Sequence, residues 1–193
     1  MSASRTHEAA PAHTDWLYHH LTVVGPPDAL GAWAEQAAGA GTIPWELDLD
    51  RMEEDYFLRL ASAPNRSLSL QGAQMLAAEL RDAVAVRHAA AVARVGSSRA
   101  CAFDLHVLLP VPAAVLQLGP DDPAAIDWLW AEWGTTEALR HVTALPMPRR
   151  EATQSAWRVS FWSADWTPWR AIGSLRRRCP TLAFEIRPIY EPS

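Results

Sequence analysis

Between Ala156 and Tyr190 the spacing of apolar residues changes period twice, and nothing else in the chain limits its architecture so strongly. In AWRVSFW, residues 156–162, Trp157, Val159 and Phe161 alternate with Arg158, Ser160 and Trp162. That period of two lets a strand bury one face. TPWRAIGSLRRR, residues 167–178, then reads as a helix. Pro168 lies in its first turn, with Asp165 or Thr167 placed to cap it, and Arg176, Arg177 and Arg178 complement the dipole at its C-terminus. TLAFEIRPIY, residues 181–190, returns to a strand pattern. Joined by such short links, the helix has to pack back on one side of a sheet.

The chain opens on a related pattern. LYHHLTVV, residues 17–24, reads as a strand stopped by Gly25-Pro26-Pro27. The following helix puts Leu30, Trp33, Ala34 and Ala37 on one face and ends at Gly39 and Gly41. WELDLD, residues 45–50, alternates Trp45, Leu47 and Leu49 with Glu46, Asp48 and Asp50, which predicts a half-buried strand with an acidic outer face. Helical spacing runs over 51–61, breaks at Pro64-Asn65, and resumes as one alanine-rich helix over 70–95, ended by Gly96. AFDLHVLLPVP, residues 102–112, predicts a strand closed by prolines, and residues 113–118 a short helical turn. Asp122 is placed as an N-cap ahead of Pro123 for the helix PAAIDWLWAEWG, and LRHVTAL is a weaker strand leading into the loop through Pro148. Strand and helix at the start, with strand, strand, helix and strand at the end, predict an α+β chain: a mostly antiparallel sheet with helices packed on one face. Residues 15–193 are expected to form one domain with a helical insertion at about 50–100, and residues 1–14 a disordered tail.

Charge narrows the function classes. With 22 acidic and 17 basic residues the chain carries −5, which argues against broad, sequence-independent nucleic-acid binding. Every basic residue is arginine, so arginine enrichment alone says little about phosphate. Cys101 and Cys179 sit in no CxxC pattern and read as reduced thiols, a single disulfide being the alternative. No apolar run is long enough to span a membrane, and a cytoplasmic location without membrane contact is expected.

Three stretches carry a family resemblance in order: WLWAEWGTTEAL, then VSFWSADWTPWRAIGSLRRRCPTLAFEIRPIYEP, with DWLYHHLTVVGPPDAL at the start. They resemble the YubB-type ferredoxin-like domain family, whose motifs fall on Trp128 to Thr135, Phe161 to Pro168, and Pro180 to Glu191. The resemblance covers both ends and leaves the middle loose. It implies a ferredoxin-like sheet and an association with plasmids, phages and other mobile elements, but no agreed activity; the residues themselves give no cofactor motif, and no cofactor is expected. The chain departs from the pattern twice. Thr136 stands where many members have lysine, and Asp165 separates Ala164 from Trp166.

No catalytic constellation stands out, which leans away from an enzyme. His19 and His20 are strand neighbours pointing to opposite faces, and the remaining histidines lack ligand spacing, so no metal is expected. Gly39 and Gly41 end a helix instead of opening one, and the chain has no lysine for a phosphate loop. Tryptophans dominate what is left. Trp128 or Trp133 can enter the core with Gly134 as a helix C-cap, or they can rim a groove beside the hydroxyls of Thr135 and Thr136. Phe161 and Trp169 are expected in the core. The leading expectation is a binding module for an unknown protein or small molecule, with Trp133, Gly134, Thr135, Trp162, Asp165, Trp166 and Arg170 as contacts. One alternative is single-stranded nucleic acid stacked on Trp162, with Arg158, Arg170, Arg176, Arg177 and Arg178 as phosphate contacts. A weaker one is a hydrolytic site pairing Asp165 with His20 or His141.

Overall fold

The computed structural model describes residues 15–62, 68–146 and 155–190. The tail expected over 1–14, the break at Pro64-Asn65, the loop through Pro148 and the end of the motif at Glu191 lie outside them. The chain is α+β. Strand β1 (Trp16–Val24) leads to α1 (Pro27–Ala37), and the hairpin α2 (Leu49–Ala61) and α3 (Leu70–Val92) follows. Two short helices, α4 (Leu105–Leu108) and α5 (Ala113–Leu116), precede α6 (Pro123–Glu132). The chain then runs through β2 (Arg140–Ala144), β3 (Ala156–Ala164), α7 (Trp169–Arg178) and β4 (Ala183–Ile189). The four strands form one antiparallel sheet in the order β2-β3-β1-β4.

Strand parity decides which side of this sheet the helices cover. Leu21 pairs with Val159 and Ile186, and Val23 with Trp157 and Phe184; nearly all of these are buried. Above them Leu30 and Trp33 of α1, Leu129 of α6, and Ile172 and Leu175 of α7 complete the core. Trp33, Phe103, Trp157, Phe161 and Phe184 form its aromatic centre, with ring centroids 5.0 to 6.5 Å apart and several edge-on pairs. That geometry suits aromatic quadrupoles, and it gives all five side chains a packing role.

Two expected strands are not strands. Along 45–50 the alternation of burial is real, since Trp45, Leu47 and Leu49 are half-buried while Glu46 and Asp48 are exposed. No ladder accompanies it. Glu46 N–H donates to the Leu116 carbonyl, and Asp48 then accepts from the Arg51 N–H, which starts α2 at Leu49. At 102–112 the decisive residue is Asp104. Its carboxylate accepts from the N–H groups of His106 and Val107, winding the single turn of α4, and from the Gly41 N–H. Gly39 lets this happen: it exchanges two 2.9 Å backbone bonds with Cys101, and a Cβ there would lie 2.3 Å from Asp104 Oδ2.

The remaining elements follow their sequence signals closely. Asp122 caps α6 through the Ala124 N–H, and Gly134, at φ +77°, ends it. Cys101 and Cys179 are both free thiols. Among the described residues no helix is long and apolar enough to cross a membrane.

Candidate binding surface

The connection from β3 to α7 is built from two γ-turns. Asp165, at φ +64°, is the centre of the first, closed by Trp166 N–H donating to the Ala164 carbonyl at 2.7 Å. Pro168, at φ −73° and ψ 56°, is the centre of the second, closed by Trp169 N–H on the Thr167 carbonyl at 2.7 Å. Pro168 is therefore the N-cap of α7, and no side chain caps it; neither Asp165 nor Thr167 has the role expected of it. Both are occupied elsewhere. Asp165 accepts from the Thr136 hydroxyl and from the Asp15 N–H, and Thr167 bonds His19 Nε2 at 2.8 Å.

His19 anchors the turn from below, fully buried on the covered face of β1. Ser163 gives its one hydroxyl proton to the Trp166 carbonyl at 2.6 Å. The His19 Nδ1 that faces Ser163 Oγ at 3.4 Å is therefore the protonated nitrogen, and Nε2 accepts from Thr167. Burial lowers the His19 pKa to about 4, so the ring is neutral at pH 7. A buried serine whose proton is committed to a carbonyl is not a nucleophile, and this network is a brace.

The Trp133–Thr136 segment locks onto the same turn. Trp133 is fully buried and donates from Nε1 to the Leu109 carbonyl, Thr135 donates to the Ala164 carbonyl, and Ala171 N–H bonds the Trp133 carbonyl. The structure thus brings together the two motif stretches that the sequence singled out, but as architecture. Trp133, Gly134 and Thr135 are buried and offer no surface to a ligand. Trp166 stands 57% exposed, and Trp169, expected in the core, is 44% exposed, because the second γ-turn starts α7 with Trp169 pointing away from its buried side at Ala171, Ile172 and Leu175.

The arginines divide between the two sides of the sheet. Arg170 donates to the Ala131 carbonyl, Arg176 to Phe184, Arg178 to Leu108, and Arg177 to the Ser174 hydroxyl. All four belong to α7, on the covered side, and cannot share a ligand with Trp162 on the opposite face. Of the five arginines proposed as phosphate contacts from the sequence, Arg158 alone lies on the face of Trp162. Among the described residues no hydrogen bond joins Asp165 to His20 or to His141. His20 lies on the open face and bonds the Tyr18 hydroxyl at 3.3 Å, while the hydrogen bonds of Asp165 go to Thr136 and Asp15.

The open face holds what the sequence reasoning missed. Tyr18 pairs with Trp162 across β1 and β3, their ring centroids 5.2 Å apart. Arg140, opposite Trp162 on β2, places its guanidinium 3.9 Å from the centre of the Trp16 ring. His20, Arg158, Glu185 and Arg187 share this face, and Trp162 is 37% exposed on it. The alternation in LYHHLTVV already separates Tyr18, His20 and Thr22 from Leu21 and Val23. Arg140 and Arg187 join them only once the strand order and register are known.

A concavity of about 730 Å³ opens beside Asp165, lined by Trp45, His88, Asp121, Thr136, Glu137 and Arg140 among others. Much of its polar lining is already engaged: His88 Nε2 donates to the Trp45 carbonyl, Thr136 to Asp165, and Arg140 to Glu137.

No family model matches the chain, and no curated protein does. Among solved structures it is similar to protein Api92 from Yersinia pseudotuberculosis, of family model DUF1281. The TM-score is 0.48 at 11% identity, over 91% of this chain and 90% of that one. At that distance the likeness carries no residue role and no activity across.

Proposed function

We propose that this chain is a non-enzymatic, cytoplasmic binding module of the YubB-type ferredoxin-like kind associated with mobile elements, and that it takes its ligand on the open face of the sheet. One observation carries this reading. The two central strands present the Tyr18–Trp162 pair, flanked by the Trp16–Arg140 stack, on the side opposite the helices. The other aromatic clusters already have packing partners in the core, whereas an aromatic surface with nearby cations is chemistry suited to recognition. The Trp133–Thr136 and Ala164–Pro168 segments support it by fixing the end of β3.

The test is a binding panel read by intrinsic fluorescence and calorimetry, with an oligonucleotide, an acidic peptide and a planar aromatic compound. At least one member is expected to bind saturably. Trp162→Ala should weaken it about tenfold, the loss expected for one stacking contact. Arg177→Gln, on the far side of the sheet, should leave it unchanged. Saturable binding that ignores both Trp162→Ala and Tyr18→Ala, or no binding across the panel, rejects the open face as the contact surface.

A further inference from the structure

Resting on that open-face assignment, we infer that the ligand is single-stranded nucleic acid, its bases stacked on Trp162 and Tyr18 and its phosphates met by Arg140, Arg158 and Arg187. The register gives the layout. Arg140, Trp162 and Tyr18 form one row across β2, β3 and β1; Ser160, His20 and Arg187 form the next across β3, β1 and β4; Arg158, Thr22 and Glu185 form the third. Rows on one face are about 7 Å apart along the strands, and strands about 4.8 Å apart across them. The aromatic pair therefore sits at one end of a patch whose cations lie on both flanks and beyond it.

Charge complementarity favours this partner. The chain as a whole carries −5, yet the open face gathers three arginines, of which Arg187 meets Glu185, Arg140 meets Glu137 in an exposed i,i+3 pair, and Arg158 meets no carboxylate among the described residues. Arg187 is bonded to Glu185 through Nε at 2.7 Å, an exposed pairing that a phosphate can displace. Arg158 holds the Pro146 carbonyl through one nitrogen at 3.2 Å, and a guanidinium has five N–H donors. Stacking needs a π-face and no base-specific donor, so the surface suits a strand without strong sequence preference. A duplex hides its base faces and gains nothing from Trp162.

The set differs from the one visible in the sequence. Of the arginines there, Arg158 alone remains, joined by Arg140 and Arg187.

The experiment uses the full chain and a labelled oligothymidylate at low ionic strength, followed by anisotropy. The expected result is saturable binding whose log K falls linearly with log salt, at a slope of about −0.7 per arginine engaged. Trp162→Ala and Tyr18→Ala should each weaken binding about tenfold. Arg158→Gln and Arg187→Gln should each flatten the slope by about one contact. Circular dichroism of each variant confirms that the fold is kept. Absence of oligonucleotide binding by the folded chain overturns the inference, as does equal affinity for duplex and single strand, or a slope unchanged in both arginine variants. If the acidic peptide binds in a Trp162-dependent way while the oligonucleotide does not, the nucleic-acid ligand is rejected and the open-face reading stands.

Discussion

Gly134 is a single residue on which two motifs depend. Its φ of +77° closes α6, and a Cβ at that position would lie 3.4 Å from the Arg170 nitrogen at the start of α7. Gly134→Ala therefore places a side chain in left-handed backbone with its Cβ in contact with the start of α7, and we expect a loss of about 1–2 kcal/mol in urea unfolding, from the strain. Gly134→Asn, which tolerates that φ better, should lose less at the same site if strain dominates. Equal stability of Gly134→Ala and the parent would show that the end of α6 relaxes freely. The expected loss would instead tie the form of the WGT stretch to the backbone conformation at Gly134 and its packing against the start of α7. Thr136 and Asp165 teach a related lesson. They lie on separate stretches of the chain, and the Thr136 hydroxyl donates to the Asp165 carboxylate. Two residues read separately in the sequence are one interaction in space.

At the scale of elements, legibility followed the source of each pattern. The final β-α-β stretch could be read because parity, helical spacing and proline placement all agreed, and β3 buries Val159 and Phe161 as the alternation requires. Residues 45–50 misled because one-sided burial beside other segments alternates in the same way as a strand, while the Glu46 bond to the Leu116 carbonyl belongs to no ladder. Residues 102–112 misled because Leu105, Leu109 and Val111 are buried in a segment whose shape is set by the Asp104 caps, and apolar content alone cannot show caps. The open face was half legible: parity exposes Tyr18 and Trp162, but their arginines come from strands that only long-range pairing brings alongside. The α2–α3 hairpin carries its own prediction. Described residues of α2 are never fully buried, and α3 buries only Ala73 and Ala77, with Arg81 and Glu53 bridging the two helices at 3.2 Å. So little buried apolar surface predicts low local opening energy. Amide exchange should be clearly faster in α2 and α3 than in β1 and β3, with α2 the faster of the helices. Protection in α2 equal to that of β1 would mean that the hairpin unfolds only with the sheet.

The whole molecule responds to pH through histidines that folding keeps neutral. Burial holds His19 at about 4, below an ordinary value of 6.5. Burial and the Arg158 charge lower His20, and burial lowers His106 against the opposing pull of Asp104. Geometry gives the same direction for His106, whose Nδ1 accepts from the Val111 N–H at 3.2 Å and must stay unprotonated to do so. For each group the folded pKa is the depressed one, so between it and the unfolded value the unfolded chain binds more protons. Stability then rises with pH across that window and is lost as pH falls through it. His19 alone should remove about 2 kcal/mol between pH 7 and pH 5, approaching about 3 kcal/mol near pH 4. The protonated ring would face the Thr167 hydroxyl with a second donor where it now accepts, so the loss belongs to the brace beneath the β3–α7 turn as well as to the fold. Urea unfolding at intervals from pH 7 to pH 5 measures it. His19→Gln, which can still bond Thr167 but does not titrate, should be less stable at pH 7 and show a shallower dependence. A parent profile that is flat between pH 6.5 and pH 5 would mean that His19 reaches water in the folded chain. The brace would then be looser than its hydrogen bonds imply, and the end of β3 that presents Trp162 would be held by Thr135 and Asp165 alone.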